Sequence, residues 1–550
     1  MKEFSEYWWL NSESQSMLER GYLVEGQTAD QKLDVICEHA SNILGKPEKK
    51  EQFKKIFVNG YASLSSPIWA NFGQGRALPI SCFSSFIPDS LDGIYDGLTE
   101  VAMMTKGGGG TSGYFNLRGA GAPVSGGATS SGAMSFINMF DKTIEVVKQN
   151  NVRRGAFSAY MEIDHPEISE LLKVKDKGNE MQTINTAVCV GDDWMEAMIA
   201  GDSPKRKIWA ETLKSRREKG IPYLFFKDNV NNNKPQVYKD KDLTIWQSNL
   251  CNEIYLSTSE DESLVCCLLS MNLYTYDDWK DTDAVELMIE FLDAVMQDFI
   301  NKAENMRGFE RAVKFAKSQR ALGLGVLGYH SYLQKNMIPF ESFQAQQINT
   351  SIFKNIKEKA MISTRRLAEE YGEPELLKGY GMRNTTLLAL APTTSSSSIL
   401  GQVSPTIEPL KSNYFVAGLA KGSFTRKNRE LKSLLVEKEK DTTEIWKSIS
   451  INQGSVQHLN FLSENEKEVF KTFAEISPMT IIQQASARQP WICQGQSLNL
   501  MIPQEMSIKD INKIHIEAWK LGLKGLYYQR GSSVAKEAVL KMMECNSCEG

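Results

Sequence analysis

The sequence predicts an α/β fold, and three features predict it. A capping box, Thr28-x-x-Gln31, opens a run in which Leu33, Ile36, Cys37, Ala40, Ile43 and Leu44 recur at helical spacing until Gly45. Val285, Met288, Ile289, Leu292, Val295, Met296 and Phe299 make a second amphipathic helix. The short apolar runs "ALGLGVLG" (Ala321 to Gly328) and "TTLLALAP" (Thr385 to Pro392) have the length of buried strands. Helices alternating with short buried strands favour α/β layers. The first helix also implies a helical N-terminal region of about 70 residues.

Composition narrows the class. The chain has 550 residues, 41% hydrophobic and 24% charged, enough for one large domain with additions. A net charge of -4 leaves no basic surplus for nucleic acid as the main partner. "MKEFSEYWWLNSESQ" has no signal-peptide core, and no stretch approaches the ~18 apolar residues of a spanning helix. A cytoplasmic location without a membrane partner is expected. Cys37, Cys82, Cys189, Cys251, Cys266, Cys267, Cys493, Cys545 and Cys548 are too unevenly spaced for a secreted disulfide framework, so redox or metal-binding thiols are the alternatives.

Two glycine-rich stretches invite nucleotide readings. "GLGVLG" fits G-x-G-x-x-G, but the preceding "KFAKSQRA" is too charged for a buried first strand, and no acidic residue stands near position 348. "KGGGGTSG" (Lys106 to Gly113) lacks the Lys-Ser/Thr of a P-loop. Both are expected to be tight turns or close backbone passages.

The informative constellation is "SNLCNEIYLS" with "LVCCLLSMNL" after it. On an extended segment Asn249, Cys251 and Glu253 point to one side. An amide, a thiol and a carboxylate there would orient a substrate, do sulfur chemistry and move a proton; a buried structural cysteine fits the same spacing. Cys266 and Cys267 would face opposite sides of a strand. At the other end "MECNSCEG" places Cys545 and Cys548 as a CxxC pair. Half a zinc site would need more ligands, and His39, His165, His330, His458 and His515 are scattered.

With these residues in view, the chain resembles the catalytic large (α) subunit of class I ribonucleotide reductase. The resemblance runs through "SSPIWANFG", "ISCFSSFIPDSLDGI", "RGAGAPVSGG", "NVRRGAFSAYMEIDHPEISELL", "NLCNEI", "ALGLGVLGY", "APTTSSSSILG", "QGQSLNL" and "GLYYQR" to the CxxC tail. It implies a ten-stranded α/β barrel with a central finger loop carrying a radical cysteine, preceded by a helical N-terminal domain. The expected boundaries are 1–75 for the helical domain, 76–528 for the barrel and 529–550 for a flexible redox-active tail.

The resemblance also implies roles. Cys251 would become a thiyl radical, Glu253 would take the 3′-hydroxyl proton and Asn249 would hold the substrate. Cys82 and Cys266 would reduce the sugar and close to a disulfide, with Cys266 preferred over Cys267 by alignment to the following "SMN". Tyr527 and Tyr528, elsewhere an ordinary core pair, would stack and relay the radical from a metal-containing small (β) subunit, this chain holding no metal. Thr393, Thr394, Ser395, Ser396 and Ser397, with Ser66 and Ser81, would bind a ribonucleoside diphosphate, aided by a helix N-terminus. "APTTSSSS" taken alone fits an ordinary turn equally well.

By the same resemblance, Asp89, Arg118 and Arg153 would form a dNTP/ATP specificity site on a homodimer interface. "QNNVRRGA" departs from the commoner "GGVRGGA", and "WICQGQSLN" places Cys493 in a stretch where many relatives have "DQSQSLN". Only 81 residues precede Cys82, so no ATP-binding module, and no shutdown by dATP, is expected. Cys545 and Cys548 would re-reduce the buried disulfide and pass the oxidation to thioredoxin or glutaredoxin. The tether from Tyr528 could span at most about 55–60 Å. The competing class is a catalytically silent paralogue acting as a nucleotide-binding regulatory subunit; retention of every radical residue argues against it.

Overall fold

The computed structural model describes residues 7–75, 77–147, 155–419 and 422–531. Arg153, Cys545, Cys548 and most of the expected tail lie outside the described residues.

The first expected helix runs Ala29–Leu44, with the reciprocal Thr28–Gln31 capping box in place and Gly45 closing it at φ 67°. With Ser12–Glu19 and Lys49–Val58 it forms the helical N-terminal region. Its apolar stripe packs on the second expected helix, Ala284–Ala303, where Phe53 and Phe57 meet Phe291 edge-on at 5.5 and 5.3 Å. The second helix is buried nearly all round, so its acidic residues need partners. Glu290 pairs with Lys49 at 3.0 Å, Asp293 with Arg320 at 2.8 Å and Asp298 with Lys302 at 2.8 Å.

Five strands lie parallel: β1 (Cys82–Ile87), β2 (Gly110–Phe115), β3 (Phe157–Glu162), β4 (Asn185–Val190) and β5 (Tyr223–Phe226). Parallel neighbours require crossovers, and the helices Leu91–Lys106 and Ala133–Val146 supply the first two. A second parallel set begins with β6 (Leu264–Asn272) and β7 (Leu322–Leu327). It continues through segment 386–391, bridged to β7 at Leu324–Leu388, and segment 494–502, bridged at Leu390–Gln496. It ends with segment 525–531, whose Gln529–Gly531 run pairs with Leu500–Ile502.

The two sets meet antiparallel at both seams, β1 with β6 and β5 with Gly525–Leu526. Ten extended segments therefore close into a ring of two five-stranded halves, the expected α/β barrel, and closure removes the sheet edges.

The glycine stretches take their places in this ring. "GLGVLG" is β7 and its end, a buried strand rather than a dinucleotide turn. A Cβ on Gly325 would lie 2.7 Å from Ala389 O, so the glycine permits the close approach of segment 386–391. "KGGGGTSG" leads into β2, where a Cβ on Gly110 would lie 2.8 Å from Leu250 Cδ2. Beyond the barrel, Leu431, Leu435, Trp446 and Phe470 belong to a separate small core beside the hairpin Tyr414–Leu419/Gly422–Lys427. No composition shift in the sequence announces that lobe.

Candidate active site

Between β5 and β6 the chain threads a loop through the ring. Strands of both halves hold it, through its carbonyls and through the Asn252 side chain. Ser112 Oγ donates to Ser248 O at 2.8 Å, Tyr160 Oη to Asn249 O at 2.8 Å, Asn252 Nδ2 to Leu224 O at 3.2 Å, and Gly495 N to Glu253 O at 2.9 Å. Buried loop carbonyls need such donors, which explains the polar residues on otherwise apolar strands.

Asn249, Cys251 and Glu253 are all buried on this loop, but not by alternation along an extended segment. The chain turns at Leu250–Asn252, with Asn252 at φ 59°, a left-handed conformation that asparagine tolerates better than most side chains. The turn brings residue 249 against residue 253. Asn249 Oδ1 accepts from the Glu253 and Ile254 amides at 3.0 and 3.1 Å, and its Nδ2 donates to Glu253 Oε1 at 2.9 Å and Cys82 Sγ at 3.2 Å. One amide thus links loop tip, carboxylate and β1, and this network fixes which end carries oxygen.

Glu253 is fully buried, and burial pushes its pKa up to about 7 against the hydrogen bonds from Asn249 and Ser497. Ser497 Oγ lies 3.0 Å from Glu253 Oε2 and 2.6 Å from Cys251 O. Its single proton serves the Cys251 carbonyl when the protonated carboxyl donates to Ser497. The site can therefore hold or release a proton near neutrality.

Cys82 and Cys266 stand directly opposite each other in the β1–β6 ladder. Such antiparallel partners have Cα atoms about 4.5–5.5 Å apart, inside the range of about 4.4–6.8 Å that a disulfide spans. Burial, reinforced by Glu253 and Cys251, pushes the Cys82 thiol well up; burial does the same to Cys266. Both are reduced and buried. Cys267, the next residue, is registered instead with Leu322 of β7. A Cβ on Gly323 would sit 3.0 Å from Cys266 Sγ, so this glycine keeps room for the sulfur.

Tyr527 and Tyr528 are buried where segment 525–531 leaves its ladder, and this break frees them from strict alternation. Their ring centroids lie 4.4 Å apart at 57°, a tilted contact rather than the expected stack. Tyr223 of β5 touches both, at 4.7 and 5.1 Å, and Asn185 Nδ2 lies 3.3 Å from Tyr528 Oη.

A helix does begin in "APTTSSSS", at Thr394–Ile399. Several of the hydroxyls face inward. Thr393 Oγ1 accepts from Thr406 N at 2.7 Å, Ser396 Oγ donates to Leu64 O at 3.3 Å, and Ser397 Oγ donates to Thr394 O at 3.0 Å. Thr394 is exposed and Ser395 half-exposed. Ser66 opens the helix Ser66–Asn71 and bonds Tyr22 Oη at 2.7 Å, while Ser81 Oγ lies 3.8 Å from Cys82 Sγ. Arg118 Nε donates to Asp89 Oδ2 at 2.7 Å, joining two of the three expected specificity residues.

A family profile described as "Ribonucleotide reductase, barrel domain" matches residues 80–205, 201–378 and 374–529. The chain belongs to the ribonucleotide reductase large-subunit family.

A Frog virus 3 protein named as a ribonucleoside-diphosphate reductase large subunit is 38% identical over 535 residues, covering 92% of this chain and 93% of its own. The ribonucleoside-diphosphate reductase large subunit of Invertebrate iridescent virus 3 is 33% identical, with 86% of each chain covered. Among solved structures, the Actinobacillus ureae class Id ribonucleotide reductase alpha subunit superposes with a TM-score of 0.92 at 50% identity, covering 97% of this chain and 99% of that one. Family and fold thus agree with the barrel traced above.

Two residues of the site escaped the sequence reading: Ser497, and Gln494, whose Nε2 lies 3.5 Å from Cys266 Sγ. Both sit in "QGQSLNL", which carried family resemblance. Nothing local in the sequence tied them to a cysteine more than 200 positions away.

Proposed function

We propose that this chain reduces ribonucleoside diphosphates to 2′-deoxyribonucleoside diphosphates by thiyl-radical chemistry. The observation that carries the reading is the convergence of Cys251, Glu253, Asn249, Cys82 and Cys266 on one buried loop tip and one strand pair.

The Cys251 thiyl takes the 3′ hydrogen atom from the sugar while the Glu253 carboxylate accepts the 3′-hydroxyl proton. The Cys82 thiol gives its proton to the departing 2′-hydroxyl, which leaves as water. Cys82 and Cys266 then supply two electrons and become a disulfide, and Cys251 returns the hydrogen atom. The balance is one ribonucleotide and two thiols to one deoxyribonucleotide, one disulfide and one water. High thiol pKa values suit this work, because a proton donor must remain protonated until it is needed.

A small metal-containing subunit supplies the oxidising equivalent, which Tyr528 and Tyr527 pass to Cys251. Asn249 and the polar groups at Ser66, Ser81 and 393–397 hold the substrate, with Thr394, Ser395 and the first-turn amides left to face the diphosphate. Asp89, Arg118 and Arg153 bind a nucleotide effector in a homodimer of large subunits. The domain division is 1–75, 76–528 and 529–550, and Cys545 and Cys548 regenerate the thiols from thioredoxin or glutaredoxin.

The test is reconstitution of the full chain with small subunits, a dithiol and CDP, reading deoxycytidine diphosphate. Absence of product with every small subunit would replace this reading with the silent-paralogue one. Two further outcomes follow. Glu253→Gln should lower turnover by about 10²–10⁴-fold, the usual worth of a general base. In the wild type the carboxylate must be ionised to accept a proton, so kcat/KM should fall as pH drops below about 7, the level to which burial raises Glu253. A flat profile down to about pH 5.5 would remove Glu253 from that role. Cys266→Ser should abolish multiple turnovers while Cys267→Ser retains them with a small dithiol, because only residue 266 is registered against Cys82. The reverse pattern would move the redox pair.

A further inference from the structure

Cys493 sits where segment 494–502 meets segment 386–391, and three donors converge on its sulfur. The Leu387 and Leu388 amides approach Sγ at 3.2 and 3.3 Å, and Lys357 Nζ, on the helix Phe343–Tyr371, at 3.2 Å. A second, buried lysine is close: Lys524 Nζ donates to Cys493 O at 2.8 Å and Gln494 O at 2.9 Å. A neutral thiol is a weak acceptor and would leave two amides and an ammonium poorly paired. A thiolate satisfies all three with charge-assisted bonds.

The electrostatics agree with the geometry. Burial pushes the Cys493 thiol up, but Lys357 and the two amides outweigh it and hold the thiol below its ordinary range. Burial pushes Lys524 down to about 8, and the charge on Cys493 opposes that fall. Cys266 also feels this charge, which raises its thiol further.

Gln494, the next residue, is fully buried and reaches into the site. Its Nε2 lies 3.5 Å from Cys266 Sγ, 2.9 Å from Leu322 O and 3.0 Å from Thr386 Oγ1, while its Oε1 accepts from Tyr255 N of the finger loop at 3.2 Å. Gln494 thus touches a reducing cysteine and the radical loop at once, and its backbone begins at the pinned sulfur.

We propose that Cys493 stands as a thiolate in the working enzyme and acts as a positioning residue: anchored by Leu387, Leu388 and Lys357, it holds Gln494 against Cys266 and the finger loop. The positioning half of this inference rests on the catalytic reading of Cys266; the thiolate half does not.

Two measurements on the full chain test it. The ultraviolet thiolate band of wild type minus Cys493→Ser at neutral pH should equal one thiolate per chain, and identical spectra would overturn the proposal whether or not the enzyme turns over. In the reconstituted assay Cys493→Asn should lose roughly tenfold in turnover, about 1.4 kcal/mol, while Cys493→Asp, of the same shape but charged, stays within about twofold of wild type. The melting temperatures of the Asn and Asp variants separate charge from misfolding. Equal turnover of the two variants at equal stability would overturn the positioning role. An inactive wild type would instead fault the catalytic reading, leaving the difference spectrum to decide the thiolate.

Discussion

Cys251→Ala should bring deoxynucleotide formation to the assay background, a loss of ~10⁴-fold or more, as expected when a covalently participating group is removed. The substitution deletes one sulfur from the tip of the loop and leaves its scaffold intact. Hydrogen bonds of the Cys251 carbonyl, the Asn249 side chain and the Glu253 backbone help hold the tip, and these remain when the sulfur is removed. Melting should therefore change little, with a cost of about 1–2 kcal/mol for a small cavity. Substrate binding should survive for the same reason, so an isotope-labelled diphosphate bound by equilibrium methods separates loss of chemistry from loss of the pocket. Turnover by Cys251→Ala comparable with wild type would end the radical reading.

The second large effect concerns the route inward. Tyr527→Phe should lower turnover by ~10³-fold or more, above about 4 kcal/mol of barrier, with the fold preserved. A phenol is oxidised by giving up an electron and a proton together, and a phenyl ring has no such proton to give. The ring itself stays, so the tilted contact with Tyr528 at 4.4 Å and the contact with Tyr223 at 4.7 Å are retained. Tyr223→Phe supplies the contrast: it alters the same aromatic cluster but should keep turnover, since the residue lies on β5 beside the pair and not in "GLYYQR". Equal losses at Tyr223 and Tyr527 would mean that packing of the cluster, rather than relay, explains the effect. Persistence of activity in Tyr527→Phe would remove that residue from the path.

The helices were the most legible part of the sequence. Their signals are local: the Thr28–Gln31 box, the Gly45 stop and the apolar stripe from Val285 to Phe299 each lie within a few turns. The strands "ALGLGVLG" and "TTLLALAP" were legible as buried but not as neighbours. Their pairing depends on backbone bonds such as Leu324 N to Leu387 O at 2.7 Å, which no periodicity encodes. The finger loop departs from the extended shape that its alternation predicts. Alternation was a sound argument for a strand, but a loop inside a closed barrel is shaped by the strands around it. It took a left-handed residue at Asn252 to bring Asn249 and Glu253 face to face.

Composition, local periodicity and motif order thus determined the α/β class, the chief helices, the family and the identity of the candidate cysteines, carboxylate and tyrosines. Motif alignment already preferred Cys266 over Cys267, and the tertiary structure added the register that sets Cys266 opposite Cys82. Only the tertiary structure decided that Ser497 and Gln494 lie beside these residues and that the sulfur of Cys493 is ringed by donors. The reason is physical. A side chain's type travels with the sequence, whereas its pKa, its partner and its reach are set by burial and by neighbours that barrel closure brings from hundreds of residues away.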